Sequence, residues 1–338
     1  MSAEAPGLPP RWRLPILLLG FLSLAFGIAG GLARLAPAVP APAGALVLHG
    51  AVMVSGFFGT VIALERAVAL GRLWAYSAPL AAGMGGVLLL ADVQVPGFLF
   101  MIAGAAAFGA ASIVIVARQP SVETAALLAG AAAWLAGAVC LLLGVDPVRW
   151  WIAFFALTIG AERLELSRYL RRSRFSKLSF IALAAGVLLT ALEPSSRAQG
   201  ASLVLLALWL FAYDLARITI RQTRLPRYIA ACLLAGYFWL AVSGVLLALG
   251  GPRDGALHAF FLGFVVSMVF GHAPVILPAV LRVPFPYHPV VYVPLVVLHA
   301  SLAARVAVSV PAGAWGNAAA VALFIVTAAI LVLKRPAS

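Results

Sequence analysis

The sequence predicts an all-α integral membrane protein of about twelve transmembrane helices, and three observations predict it. Of the 338 residues, 64% are hydrophobic and only 10% are charged, with a mean hydropathy of +1.10; a soluble domain of that composition would not stay in solution. Apolar segments of the length a helix needs to cross a hydrocarbon core recur along the whole chain. Finally, the basic residues that make up the formal net charge of +13 fall alternately dense and sparse between those segments, the pattern that positive-inside sorting produces. The same charge on a soluble protein would point to nucleic acid, but no loop here is long enough to form a reader domain, so nucleic acid is not an expected partner. The expected partner is the lipid bilayer.

Taken in order, the spans and their flanking charges are mutually consistent. Span 14–36 follows Arg11 and Arg13 and ends near Arg34; it is too long for a signal peptide and lacks a small-residue cleavage site. Span 43–65 ends at Glu65-Arg66, span 73–91 starts after Arg72, and span 95–117 ends at Arg118. Span 122–144 is free of Lys and Arg, and span 147–167 runs from Arg149 into the dense set between Arg163 and Lys177. Span 176–193 leads out towards Arg197, span 199–220 returns to the set Arg217 to Arg227, and span 227–249 leads out to Arg253. Spans 254–280, 287–310 and 312–333 are closed by Arg282, by few charges, and by Lys334 and Arg335. The expected organisation is a cytoplasmic tail 1–13, a single membrane domain 14–333 and a cytoplasmic tail 334–338, in a bacterial-type inner membrane. The match of Ile62-Ala63-Leu64-Glu65-Arg66 with Ile159-Gly160-Ala161-Glu162-Arg163 suggests three pseudo-repeated four-helix units; otherwise Glu-Arg simply closes a helix at the inner interface, with the Arg snorkelling.

Cys140 and Cys232 show no CxxC spacing and read as packing residues. Histidine carries more information. Of five histidines, His49, His258, His272 and His299 fall within expected spans and His288 at the entry to one, although ionisable groups in a membrane are costly enough that function is the default reading. His49, Met53, Gly56 and Thr60 form one stripe at steps of four, three and four, and Gly56 would admit a flat ligand or a neighbouring helix. His49 and His258 come at similar depth on helices running in the same direction, which is what two axial imidazoles of a haem iron need. With no CxxCH, such a haem would be b-type. Hydrogen bonding between helices and a proton or ion path are the competing readings. His272 with His288 could hold copper, and His299 could join them only if the helix between His288 and His299, about 16 Å apart along an unbroken helix, were interrupted at Pro289 or Pro294; His272 reads equally as a haem-propionate partner or a proton-path residue. Met53 and Met268 read as packing or as ligands, and Glu65 and Glu162 as candidates to line an inner proton path.

The string His49-Gly50-Ala51-Val52-Met53-Val54-Ser55-Gly56-Phe57 resembles the HAHEMxxGF motif of the NnrS family, membrane proteins associated with haem, copper and the response to nitric oxide. The stretch LHAFFLGFVVSMVFG resembles that family's LHxxxxGxxxxMxxG, matching at His258, Gly263, Met268 and Gly271. The chain departs from the family pattern at Ala51 and Val52, where the second histidine and the glutamate would stand, at the missing GHTGR-like segment, and at His272, which replaces an apolar residue. The resemblance implies a twelve-helix fold akin to the catalytic subunit of haem-copper oxidases. It also implies haem, with or without copper, at His49 and His258, with Met53, Gly56, Gly263 and Met268 around it. The function so implied is binding or turnover of nitric oxide or another diatomic gas, or electron transfer from a quinone or cytochrome donor, in which case the protein is a haem-dependent oxidoreductase. The alternative class is a proton-coupled transporter of a small solute that uses the buried His and Glu residues and Asp214.

Overall fold

A computed structural model describes residues 7–167, 173–193 and 195–333. Part of the N-terminal tail, the tail 334–338 with Lys334 and Arg335, and Arg168, Arg171 and Arg172 of the basic set lie outside the described residues. Among the described residues the structure is helical, without strands. The helices are α1 (Pro10–Ala33), the short α2 (Ala43–Val47), α3 (His49–Leu70), α4 (Leu73–Leu90), α5 (Gln94–Arg118), α6 (Val122–Leu142) and α7 (Val148–Leu166). They continue as α8 (Arg174–Thr190), α9 (Ser196–Tyr213), the short α10 (Ala216–Thr219), α11 (Arg224–Leu249), α12 (Arg253–Leu281), α13 (Pro289–Ala307) and α14 (Val310–Leu333). Nine of these, α1, α3, α4, α5, α6, α11, α12, α13 and α14, are long and apolar enough to cross a membrane. The segments expected as the sixth to eighth spans are also helical but shorter or more charged: α7 carries Arg149, Glu162, Arg163 and Glu165, and α8 has 17 residues.

The helix ends have local causes. Ser121 and Thr124 cap α6 reciprocally, with backbone N–H groups donating to each other's hydroxyls at 3.2 and 3.1 Å. The expected span 199–220 stops early at Tyr213 because Asp214 is extended (φ −76°, ψ 150°), and its carboxylate accepts from the Ala216 N–H at 2.6 Å. The second expected span is split at Leu48 (φ −106°, ψ 30°), which separates α2 from α3. In α12 the helix continues through Pro274 and Pro278 and stops at Arg282 in the left-handed region (φ 59°).

The chain divides into two units, residues 1–154 and 155–338, with the boundary inside α7. In the first, α1 packs against α3 and α4, α4 lies along α5, and α5 along α6. Its core centres on Trp134, which stacks on Phe154 at 5.4 Å and meets Phe108 edge-on at 5.5 Å. In the second unit α9 lies along α11, α11 along α12, and α13 along α14. Contact between α9 and α11 depends on close backbone approach: a Cβ on Gly200 would lie 2.5 Å from the Gly244 carbonyl oxygen and from the Ala248 nitrogen. In a bilayer, where apolar helices gain little by leaving lipid, such small-residue crossings let dispersion and interhelical hydrogen bonds hold a bundle.

Candidate functional site

His49 opens α3 directly after the break at Leu48. That break strands the last carbonyls of α2, which a helix end cannot satisfy from within. Arg34, at the end of α1, takes two of them, donating Nε–H to the Leu46 oxygen at 2.7 Å and Nη2–H to the Val47 oxygen at 3.1 Å. The His49 ring then lies on α1, with Nδ1 2.7 Å from the Gly27 carbonyl oxygen. A carbonyl only accepts, so Nδ1 carries the proton and Nε2 holds the lone pair. One turn further along α1, Gly31 makes this possible: a Cβ there would lie 2.8 Å from the His49 Cε1.

The rest of the stripe follows the same helix. Met53 Sδ lies against Gly27, where a Cβ would come within 2.6 Å of it; Gly56 meets Ser23; and Thr60 meets Gly20 at 3.3 Å from the equivalent position. Gly56 therefore admits neighbouring helices, α1 and, through Gly86, α4. Thr60 also donates its hydroxyl to the Gly56 oxygen at 2.7 Å.

His258 repeats the arrangement in the second unit. Its Nδ1 lies 2.8 Å from the Asp254 carbonyl oxygen and 3.2 Å from Asp254 Oδ1, so Nδ1 is again the protonated nitrogen and Nε2 the one able to coordinate. Each histidine is followed closely by an eight-residue π-helical run, Val52–Gly59 after His49 and Ala259–Val266 after His258. Such wide turns concentrate at functional sites. The two runs share a pattern, Gly56-Phe57 with a hydroxyl residue, Thr60, directly after the run, and Gly263-Phe264 with Ser267 directly after it. Sequence reading missed both, because an almost uniformly apolar segment has no periodicity from which to see a change of turn. In the second run Gly263 leaves room for the Trp239 ring and Leu302, and Met268 packs its methyl against Gly236.

The remaining histidines have other engagements. His299 Nδ1 accepts from the Trp239 indole N–H at 2.9 Å, so its proton is on Nε2, which faces Ser267 Oγ at 3.4 Å. Ser267 in turn donates to the Cys232 carbonyl oxygen at 2.7 Å. His272 Nε2 accepts from Arg163 Nη2 at 2.6 Å while Nδ1 donates to the Met268 oxygen at 2.7 Å. His288 is exposed, and its Nδ1 caps the 3₁₀ turn Pro289–Val291 by accepting from the Val290 N–H at 3.1 Å. Pro289 starts that turn and Pro294 falls in the first turn of the helix that follows, so no interruption shortens the path from His288 to His299. Among the described residues no three His, Cys, Asp or Glu side chains come together as a metal site.

Arg163 is buried at 5% exposure and Asp214 at 2%, and the Tyr237 phenol lies within electrostatic reach of both. Buried charge of this kind needs compensation inside the bundle. Glu162, half-buried, is close enough to His272 to act on it electrostatically. Glu65 is half-buried on α3.

These features define a class: a multi-pass protein, helical throughout its described residues, with two carbonyl-anchored imidazoles set beside π-helical turns in its apolar helices. Within that class the chain belongs to the family described as a domain of unknown function, DUF8744, whose profile matches residues 13–333. No curated protein and no solved structure matches the chain.

Proposed function

We propose that the chain is an NnrS-like b-haem protein of a bacterial-type inner membrane that binds or turns over nitric oxide or another diatomic gas, with His49 and His258 as the haem-ligand candidates. One observation carries this reading: in both residues Nδ1–H is committed to a backbone carbonyl, which fixes the tautomer typical of metal-bound imidazoles, with the lone pair on Nε2. The donor chemistry therefore fits haem iron. A bound haem would supply gas coordination or one-electron chemistry; the chain's part is to hold two rings in a fixed tautomer and to exclude water with apolar helices. An electron donor such as a quinone or a cytochrome belongs to the turnover version of this reading. Copper is the weaker part of the proposal, since His272 and His299 have both ring nitrogens engaged.

The finer architecture belongs to the same proposal: twelve spans, both termini cytoplasmic, and related four-helix blocks. In support, α1, α3, α4 and α5 share an order with α11, α12, α13 and α14, a π-containing helix coming second in each set. A second reading, proton-coupled transport of a small solute, is favoured by the buried Arg163–His272 pair and by the buried Asp214 carboxylate, with Glu65 and Glu162 as proton-path candidates.

The experiment is an absorbance spectrum of the purified protein, oxidised and dithionite-reduced, with iron and copper analysis on the same sample. A Soret band with sharp reduced b-type peaks, lost in His49→Ala and in His258→Ala, is expected. A folded, colourless and iron-free protein turns the assignment to transport.

A further inference from the structure

A carboxylate in the first turn of a helix suits the positive end of the helix dipole. Asp254, the second residue of α12, is fastened by Arg305 from the last turns of α13: Nε–H donates to Oδ2 at 2.9 Å and Nη2–H to Oδ1 at 2.8 Å. This two-pronged fork is the stronger and more directional form of the carboxylate–guanidinium pair. The Arg305 side chain is only 9% exposed, and Gly313 of α14 rests against its Cα and Cβ, a position where any larger residue would collide. The fork leaves Oδ1 next to the ring one turn along, 3.2 Å from His258 Nδ1, while the Asp254 carbonyl oxygen is 2.8 Å from the same nitrogen. A single residue thus offers both acceptors to one ring proton, and turning the ring over would forfeit both.

We infer that Asp254, clamped by Arg305, is a positioning residue that holds the proton of His258 on Nδ1 and keeps Nε2 as the coordinating nitrogen. The pair reaches across three helices, α12, α13 and, through Gly313, α14, and it ties the orientation of the ring to their packing. Resting on the haem reading for this consequence alone, the carboxylate behind the ring also makes His258 the more basic ligand.

The test uses full-length protein in detergent with ¹⁵N-labelled histidine, the His258 resonances being identified by their loss in His258→Ala. Native protein should give the Nδ1–H signature. Asp254→Asn, which can turn an N–H towards the ring, should move the population to Nε2–H or to a mixture, and Arg305→Lys, which keeps the charge but loses the fork, should shift it the same way to a smaller extent. A parallel hemin titration should show retention weakened about tenfold or more in Asp254→Asn, with far-UV circular dichroism unchanged. If the tautomer shifts but native protein takes up no hemin, the positioning pair stands and the haem reading falls. An unchanged Nδ1–H signature in Asp254→Asn overturns the inference whatever hemin does, and should that variant not fold, an unchanged signature in Arg305→Lys does the same.

Discussion

At the scale of single residues, the histidines divide by the contacts of their rings. His49, His258 and His272 each give Nδ1–H to a carbonyl, His272 also accepts at Nε2 from Arg163, and His299 accepts at Nδ1 from an indole. His49 reaches its carbonyl only over a glycine. Gly31→Ala would set a methyl 2.8 Å from the ring, and overpacking of this kind costs about 1–3 kcal/mol. We expect it to lower the melting temperature and to reduce bound haem together, read by scanning fluorimetry and by the ratio of Soret to protein absorbance. His272→Ala separates the two effects. It takes an acceptor from buried Arg163, a loss worth about 1–3 kcal/mol, and should lower the melting temperature while leaving haem content unchanged; His272→Gln, which can still accept, should recover part of the loss.

At the scale of elements, the α9–α11 crossing depends on glycine, so Gly200→Leu should force the pair apart and lower the melting temperature by several degrees, with α12 losing its support from α11. The same element scale shows what was legible in sequence. Bounds such as 95–117 against Gln94–Arg118 and 312–333 against Val310–Leu333 come within a few residues, because apolar runs ending at charge or turn residues are sharply marked. The stripe His49, Met53, Gly56 and Thr60 was also legible, and it does lie along one neighbour, α1. What escaped was non-local or without contrast. The break at Leu48 falls on neither a glycine nor a proline, although Gly44 and Gly50 stand to either side; the clamp of Asp254 joins residues 51 apart. Arg163 read as an interface residue, yet it is buried on His272, and no feature of the local sequence distinguishes a snorkelling arginine from a buried one.

At the scale of the whole molecule, charge is the guide. Arg118 and the set Arg217 to Arg227 should face the cytoplasm, and the turn before Arg253 the opposite side. In a background with Cys140→Ser and Cys232→Ser, Pro252→Cys should react with a membrane-impermeant maleimide in intact cells, and Gln119→Cys only after permeabilisation; the reverse result would invert the topology, and labelling of both would break the alternation of spans. Orientation sets which aqueous phase supplies protons and electrons to any intramembrane site. The central claim, that two anchored imidazoles serve haem iron, is tested most directly by the reduced-minus-oxidised absorbance spectrum of the purified protein beside His49→Ala and His258→Ala. The account predicts b-type peaks in the native protein that both substitutions abolish, while a well-folded native protein without a Soret band would contradict it.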